Sequence, residues 1–163
     1  RRHSFPTRRS SDLLFPGSPY VNRYYYTKYE KYEIPPEALA DEQFAAIIKE
    51  AEKYLGYPYI WGGSTPATSF DCSGFVQYVY AQCGINLPRT ADIQATAGYA
   101  VSKAELQPGD LVFFAGDYVN VSHVGIYVGD GKMVHASQSG IAYDSLYRDY
   151  RVAHYVAARR VLG

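Results

Sequence analysis

The stretch Asp71-Cys72-Ser73-Gly74-Phe75-Val76 decides how the whole chain is interpreted. It opens an amphipathic helix, because apolar residues recur at helical spacing as far as Tyr80 and Gly84 then provides a stop. Asp71 stands where a capping carboxylate is expected, and Cys72 lies in the first helical turn. The thiolate is the attacking form of cysteine, and a helix N-terminus beside an imidazole lowers the pKa of a thiol. The position therefore predicts that Cys72 is a nucleophile.

Composition divides the 163 residues into three parts. Residues 1–13 resemble the translation of a common sequencing-adapter oligonucleotide, so we expect an artefact there and a natural N-terminus that is missing. Residues 14–39 are rich in tyrosine, proline and charge without a sustained period, which predicts a linker. That linker is either an extended tether or a strand packed on the domain, and its tyrosines are able to stack on sugar rings. Residues 40–163 are expected to form one catalytic domain.

Charge and hydropathy exclude two classes of partner. The chain carries 16 basic and 16 acidic residues, and it becomes slightly acidic once residues 1–13 are removed. That balance offers no basic surface for nucleic acid. No uncharged apolar run approaches the roughly 18 residues that a membrane span requires. We therefore expect no nucleic acid partner and no membrane span in this fragment.

The 2 cysteines, Cys72 and Cys83, are expected to stay unpaired. Their spacing along one helix corresponds to about 16 Å of rise, whereas the Cα atoms of a disulfide lie within about 7 Å. Cys83, near the end of the helix, is interpreted as a small apolar filler. A metal site would need further ligands at suitable spacing, so no metal is expected.

Helical patterns come first in the chain and strand patterns follow. Helical periodicity covers residues 40–55, and a short helix is expected between Thr90 and Gly98. Short apolar or β-branched segments bounded by turn residues lie at 111–114, 124–128, 132–136 and 155–157. No helix is expected between these strands. This order predicts an α+β fold, with the nucleophile helix packed on an antiparallel β-sheet.

A predicted hairpin separates His123 from His135, and its register tests whether the two side chains meet. If residues 129–131 form a three-residue loop with Gly131 in the left-handed region, His135 lies opposite Gly125. Gly125 shares a strand face with His123, so the imidazoles become diagonal neighbours with room between them. A two-residue loop would instead turn His135 away from His123.

These positions predict a catalytic triad. Cys72 is the nucleophile, His123 is the general base and acid, and His135 orients the imidazole of His123. A neutral orienting histidine is weaker than a carboxylate, but it still fixes the tautomer. Two alternatives stay open: Cys72 is a buried apolar thiol, or the histidines are satisfied structural residues.

Six segments match one known family in order. They are PYIWGG at 58–63, FDCSGFV at 70–76, LPRT at 87–90, LQPGDLVFF at 106–114, SHVGIYVG at 122–129 and VHA at 134–136. In these segments the chain, from residue 44 to the C-terminus, resembles the NlpC family of bacterial cell-wall cysteine peptidases. The resemblance implies a papain-like fold and an enzyme that hydrolyses the peptide stems of peptidoglycan.

The resemblance also implies roles for residues around the nucleophile. Tyr59 matches a tyrosine whose hydroxyl reaches the catalytic centre, where it binds substrate or stabilises the oxyanion together with the backbone N–H of Cys72. Asp71 matches a residue that binds a free substrate amine, and Ser73 beside it is assigned to substrate binding. Ala91 replaces a serine that assists amine binding, which favours intact wall stems over shortened peptides. Tyr59 is otherwise a core filler, and Asp71 is otherwise only a helix cap.

The implied reaction is hydrolysis of the amide bond between γ-D-glutamate and a diamino acid, through a thioester and without a metal or organic cofactor. The implied partners are peptidoglycan stem peptides, and the protein is expected to be a monomer that is extracellular and associated with the cell wall. Three alternatives remain: an amidase, an acyltransferase, and a wall-binding module without catalysis.

Overall fold

The computed structural model describes residues 32–163, so the predicted artefact and most of the predicted linker lie outside the described residues. The α-helices are α1 Pro36–Leu39, α2 Glu42–Glu52, α3 Cys72–Gln82, α4 Ala91–Gln94 and α5 Asp149–His154. The strands are β1 Ser64–Thr65, β2 Ser69–Phe70, β3 Tyr99–Ala100, β4 Leu111–Phe114, β5 His123–Gly129, β6 Lys132–Ser137, β7 Gly140–Ser145 and β8 Tyr155–Arg160. A 3₁₀ turn covers Lys103–Glu105. No helix within residues 32–163 is both long enough and apolar enough to span a membrane.

Six strands form one antiparallel sheet in the order β3-β8-β4-β5-β6-β7. Helices precede most of the sheet, which confirms the predicted α+β class. The expectation that no helix lies between the later strands is wrong, because α5 separates β7 from β8. Its buried residues are Arg151 and His154, so α5 lacks the apolar stripe that periodicity detects.

The main core lies between α2, α3 and one face of the sheet. Asp41 caps α2 by accepting a hydrogen bond from the Phe44 N–H at 3.0 Å. The buried apolar side chains include Phe44, Ile47, Ile48, Ala51, Phe75, Val76, Val79, Tyr80, Leu111, Phe113, Val124, Ile126, Val128, Val134 and Ala136. A smaller cluster of Val112, Phe114, Met133, Leu146 and Ala158 covers the other face. The sheet is thus buried on both faces, and its second face carries the histidines.

The N-terminus of α3 contacts the loop that precedes β1. The Asp71 N–H donates to the Gly63 carbonyl at 2.9 Å, and the Asp71 carboxylate accepts from the Gly74 N–H at 2.7 Å. A Cβ atom on Gly74 would lie 2.1 Å from the Gly63 oxygen, so only glycine permits this approach. The two glycine-containing motifs therefore act together to place Cys72 at the helix start.

The β5–β6 hairpin has the predicted register, but its turn differs from the predicted one. Gly129 pairs with Lys132 across a two-residue turn, so the predicted three-residue loop is wrong. A bulge between Tyr127 and Gly129 shifts the register back, and Ile126 then pairs with Val134. This register confirms that Gly125 lies opposite His135. A Cβ atom on Gly125 would lie 2.6 Å from the Met133 sulfur and 3.3 Å from the His135 Cβ, which explains the glycine.

The segment that precedes α1 packs on this hairpin. The Tyr32 hydroxyl donates to the Gly129 carbonyl at 3.1 Å, and its ring lies 5.2 Å from the Tyr143 ring. The ammonium of Lys132 lies 5.3 Å from the centroid of the Tyr32 ring. Of the predicted linker, the part from residue 32 onward is therefore in contact with the folded domain.

Candidate active site

Cys72 is a free thiol at the start of α3, and it is only 7% exposed. Its sulfur lies 3.9 Å from the carbonyl oxygen of Ser122, directly before β5. Cys83 is the residue that caps the other end of the helix, where it packs against the main core as a free cysteine. The prediction that the two cysteines do not pair is confirmed.

The Cys72 thiol is neutral in this environment. Burial raises its pKa, and the nearby N–H groups of Val124 and Ser73 act in the opposite direction without outweighing burial. The helix N-terminus therefore does not by itself produce the lowered pKa that the sequence led us to expect. Deprotonation of the thiol requires a base beside it.

The side chains of His123 and His135 meet as the hairpin register predicted. His123 Nε2 lies 2.7 Å from His135 Nδ1, and the two rings are nearly perpendicular at 78°. Burial lowers the pKa of His123 to about 3, and the charge of Arg151 adds to this effect. Burial and the neighbouring His123 also lower the pKa of His135. Both imidazoles are thus neutral bases at neutral pH.

Asp144, which the sequence reasoning missed, extends this pair. It projects from β7 diagonally to His135, and its Oδ2 lies 3.5 Å from His135 Nε2. Arg148 donates to both carboxylate oxygens at 2.7 Å, and Arg151 Nε donates at 3.1 Å. Burial acts to raise the pKa of Asp144, but the hydrogen bonds from both arginines hold that pKa well below its usual range. In the sequence, Arg148 and Arg151 follow Asp144 at helical spacing. That pattern indicates a charged helix face and does not indicate that Asp144 contacts a histidine.

The ionised Asp144 determines where the protons of the histidine pair lie. A carboxylate only accepts, so His135 keeps its proton on Nε2, facing Asp144. His135 Nδ1 must then accept from the Nε2–H of His123 across the 2.7 Å contact. The lone pair of His123 is therefore on Nδ1, the nitrogen left for the thiol.

On the opposite side of Cys72, both carboxylate oxygens of Asp71 accept hydrogen bonds from the protein. Arg89 donates to its two oxygens at 2.9 and 2.8 Å, and the Gly62 and Gly74 N–H groups donate at 3.0 and 2.7 Å. Arg89 also donates to the Ser73 hydroxyl at 2.9 Å. The structure thus confirms Asp71 as a helix cap, and Arg89 occupies the carboxylate that was assigned to a substrate amine.

Two cavities meet at the nucleophile and share Tyr59, Cys72 and Ser122. The first, of about 570 Å³, is lined further by Trp61, Gly62, Asp71, Ser73, Arg89, Thr90, Ala91, Asp92 and Val121. The second, of about 400 Å³, is lined further by His123, Ala136, Ser137, Gln138, Ser139, Arg148, Tyr150 and Arg151. Together they form a cleft with Cys72 at its centre. Tyr59 lies in its wall half-buried, and burial followed by the nearby Cys72 raises the pKa of its hydroxyl.

His154, a further histidine of the described residues, is not part of this cleft. Its ring is stacked between Tyr118 and Tyr150 at 4.3 and 4.1 Å, and its Nδ1 lies 2.8 Å from the Ala115 carbonyl. His154 is therefore a satisfied structural residue.

Comparison with known proteins agrees with the motifs. The bifunctional muramidase/DL-endopeptidase CwlT of Bacillus subtilis is 45% identical over 138 residues, which cover 83% of this chain and 42% of the relative. The gamma-D-glutamyl-L-lysine dipeptidyl-peptidase of Bacillus cereus is 40% identical over 134 residues, which cover 80% of this chain and 38% of the relative. The chain thus spans less than half the length of these two relatives.

A solved structure confirms the fold. The crystal structure of an NlpC/P60 family protein from Bacillus cereus has a TM-score of 0.70 at 36% identity, covering 80% of this chain and 42% of the other. This similarity supports the α+β, papain-like architecture that was predicted. A sequence profile described as the NlpC/P60 family matches residues 56–160. The chain belongs to the NlpC/P60 family.

Proposed function

We propose that this domain is a cysteine endopeptidase of peptidoglycan that cleaves the amide bond between γ-D-glutamate and a diamino acid in wall stem peptides. The 2.7 Å contact between His123 Nε2 and His135 Nδ1, in a cleft centred on Cys72, is the observation that carries the proposal. The activities for which the two relatives are named, a DL-endopeptidase and a gamma-D-glutamyl-L-lysine dipeptidyl-peptidase, support the bond class.

The first half of the reaction forms a thioester. His123 Nδ1 accepts the thiol proton as the sulfur of Cys72 attacks the γ-carbonyl carbon, which produces a tetrahedral oxyanion and an imidazolium. The Cys72 N–H, which lies in the first turn of α3 where N–H groups have no carbonyl partner within the helix, and the Tyr59 hydroxyl stabilise the oxyanion. The imidazolium then gives its proton to the amide nitrogen, the C–N bond breaks, and the diamino acid leaves with a free amine.

The second half consumes water. Neutral His123 takes a proton from a water molecule, which attacks the thioester carbonyl. The carbon–sulfur bond breaks, and the thiolate of Cys72 recovers the proton from the imidazolium. The γ-carboxyl group of glutamate is released and loses the remaining proton of the water molecule to solvent. In both halves His135 holds the reactive tautomer of His123 and needs no charge change of its own.

Intact stem peptides are the proposed substrates rather than shortened peptides with a free amine. Asp71 already accepts four hydrogen bonds of 3.0 Å or less from the protein, two of them from Arg89. Ala91 supplies no hydroxyl on the same side of the cleft. Ser73 and Arg89 remain as polar groups that contact the acyl part of the substrate. Because such stems are part of the wall, we expect the domain to act at the cell wall, and the contribution of all these groups by one chain is consistent with a monomer.

Analysis of digested peptidoglycan by mass spectrometry tests the proposal. The active domain should release fragments that end in γ-D-glutamate and fragments that begin with the diamino acid. Cys72→Ala should abolish this release with the fold retained, and Cys83→Ala, the matched control at the other end of α3, should keep it. Retained release by Cys72→Ala would rule out the proposed nucleophile.

The same digest separates the alternatives. Cleavage at the bond between sugar and peptide would identify an amidase, and a new amide in place of a carboxylate would identify an acyltransferase. Binding to wall fragments without any cleavage by the unaltered protein would identify a binding module.

A further inference from the structure

The two halves of the cleft receive different parts of the substrate. In the proposed reaction, which this inference assumes, His123 must deliver a proton to the leaving nitrogen. The leaving segment therefore lies on the His123 side of Cys72, in the cavity of about 400 Å³. The acyl part lies on the other side, in the cavity of about 570 Å³ that contains Asp71 and Arg89.

The leaving-group cavity is cationic. Arg148 and Arg151 line it, and no acidic side chain does so among residues 32–163. Asp144 lies behind them and balances only one of the two charges. The remaining lining between β6 and β7 consists of Ser137, Gln138 and Ser139, which are neutral.

Arg151 is held in place with donors still available. The residue is 8% exposed, and its guanidinium lies 5.1 Å from the Phe114 ring centroid and 5.4 Å from that of Tyr150. Its Nε donates to Asp144, whereas within residues 32–163 neither terminal nitrogen donates to a protein acceptor. A buried guanidinium with unused donors that lines a cavity is suited to an external anion, because its geometry matches a carboxylate.

Arg148 supplies a second cation at the mouth of the cavity. Its side chain is 52% exposed, and it binds Asp144 through Nε and Nη2. Asp144 therefore fixes both guanidinium groups before substrate arrives, which reduces the entropy lost on binding.

We propose that Arg148 and Arg151 bind a carboxylate of the leaving segment, so the enzyme prefers a diamino acid segment that carries one. Two parts of a stem peptide can supply this group. One is a carboxylate at the distal carbon of the diamino acid, which lysine lacks. The other is the free C-terminal carboxylate of a stem that ends at the diamino acid. Lysine within a longer stem brings only an ammonium into a cationic cavity and is disfavoured.

A matched peptide series tests this site. The peptides share the γ-D-glutamyl bond and differ in the third residue, which carries a distal carboxylate, the corresponding primary amide, or the lysine side chain. Each peptide is made with a free and an amidated C-terminus. We expect kcat/KM to be about tenfold higher for the carboxylate than for its matched amide, the size of one charge-assisted hydrogen bond. The pair that shows this ratio identifies the source.

Variants locate the preference. Arg148→Gln should reduce the carboxylate-to-amide ratio to about threefold or less, whereas Lys49→Gln should keep it, because Lys49 on α2 lines neither cavity. The ratio is internal to each variant, so a general loss of activity does not affect it. Equal kcat/KM for both members of each pair, or a preference unchanged in Arg148→Gln, would overturn the site while hydrolysis still supports the proposed function.

Calorimetric binding to the Cys72→Ala protein separates the two proposals. If no peptide is hydrolysed by the unaltered protein, tighter binding of the carboxylate peptides still supports the site. Equal binding of carboxylate and amide peptides would overturn it.

Discussion

Two arginine–carboxylate clusters lie on either side of Cys72, and they differ in charge balance. On the acyl side Asp71 and Arg89 form one bidentate pair with equal and opposite charges. On the leaving-group side Asp144 binds both Arg148 and Arg151, so one positive charge is in excess. The same side-chain chemistry thus produces a neutral cluster in one half of the cleft and a cationic cluster in the other.

The difference follows from what each carboxylate supports. Asp71 also accepts from the Gly62 and Gly74 N–H groups, so its cluster holds the start of the nucleophile helix and is satisfied without a ligand. Asp144 faces His135, and its cluster holds the histidine pair. Burial keeps the histidines neutral and the charge of Arg151 adds to this effect, while the second arginine leaves donors for a ligand. The excess positive charge that the proposed recognition uses therefore lies on the leaving-group side.

The largest effect is expected from the base itself. His123→Ala should lower kcat/KM by about 10²- to 10⁴-fold, because the thiol loses the group that deprotonates it. His135→Gln should cost less, since glutamine still offers an oxygen to the Nε2–H of His123. Circular dichroism of both variants controls for folding, and a larger loss in His135→Gln than in His123→Ala would contradict the assigned roles.

The two carboxylates should differ in their effect on stability. Asp144→Asn should lower the free energy of unfolding by about 3 to 5 kcal/mol, because it leaves the buried Arg151 without its counter-charge. Asp71→Asn should cost about 1 kcal/mol, since asparagine still caps a helix and Arg89 is partly exposed. Urea unfolding measures both, and an equal loss in the two variants would remove the distinction between the clusters.

Acid should destabilise the protein through the histidine pair. His123 titrates near 6.5 when unfolded and has a pKa of about 3 when folded, so the unfolded state binds more protons between these values. The stability that comes from neutral His123 is fully present above pH 6.5, and protonation of this group in the unfolded state removes about 1.4 kcal/mol per pH unit as the pH falls toward 3. The lowered pKa of His135 adds to this loss. The depressed pKa of Asp144 acts in the same direction at lower pH. His123→Gln should show a shallower slope, and an unchanged slope would show that this imidazole is not the titrating group.

The smallest expected effect concerns the thiol at rest. Because burial raises the pKa of Cys72, the ultraviolet absorbance of its thiolate should be nearly absent at pH 7 and should appear only at a pH above the ordinary pKa of cysteine. The difference spectrum against Cys72→Ala measures it. An absorbance that titrates below pH 7 would show a resident thiolate–imidazolium pair instead of a neutral one.

Most of the fold was accessible from the sequence because its signals are local. The apolar face of α3 and the short strands β4, β5 and β6 were predicted close to their observed bounds. The hairpin was predicted only in part. Its predicted loop length was wrong, but the bulge near Val128 restores the predicted pairing of β5 with β6. Loop type depends on left-handed backbone at Asp130 and Gly131, whereas register follows which face must be buried.

The site was predicted only as far as its motifs extend. Cys72, His123 and His135 belong to segments with strong local patterns, and the meeting of the two histidines could be tested by the hairpin register. Asp144 and Arg151 lie in β7 and α5, which lack an apolar stripe or a strict alternation. Their contact depends on the packing of β7 beside β6, a tertiary event that no local pattern encodes.

The contact between Tyr32 and Gly129 anchors the first of the described residues at one end of β5. Gly129 ends the strand that His123 begins, and seven residues of strand correspond to about 20 Å. This anchor therefore lies at the end of β5 that is remote from His123 and the cleft. In the proposed function, the polymeric substrate therefore binds at the end of β5 that is opposite to the Tyr32 anchor.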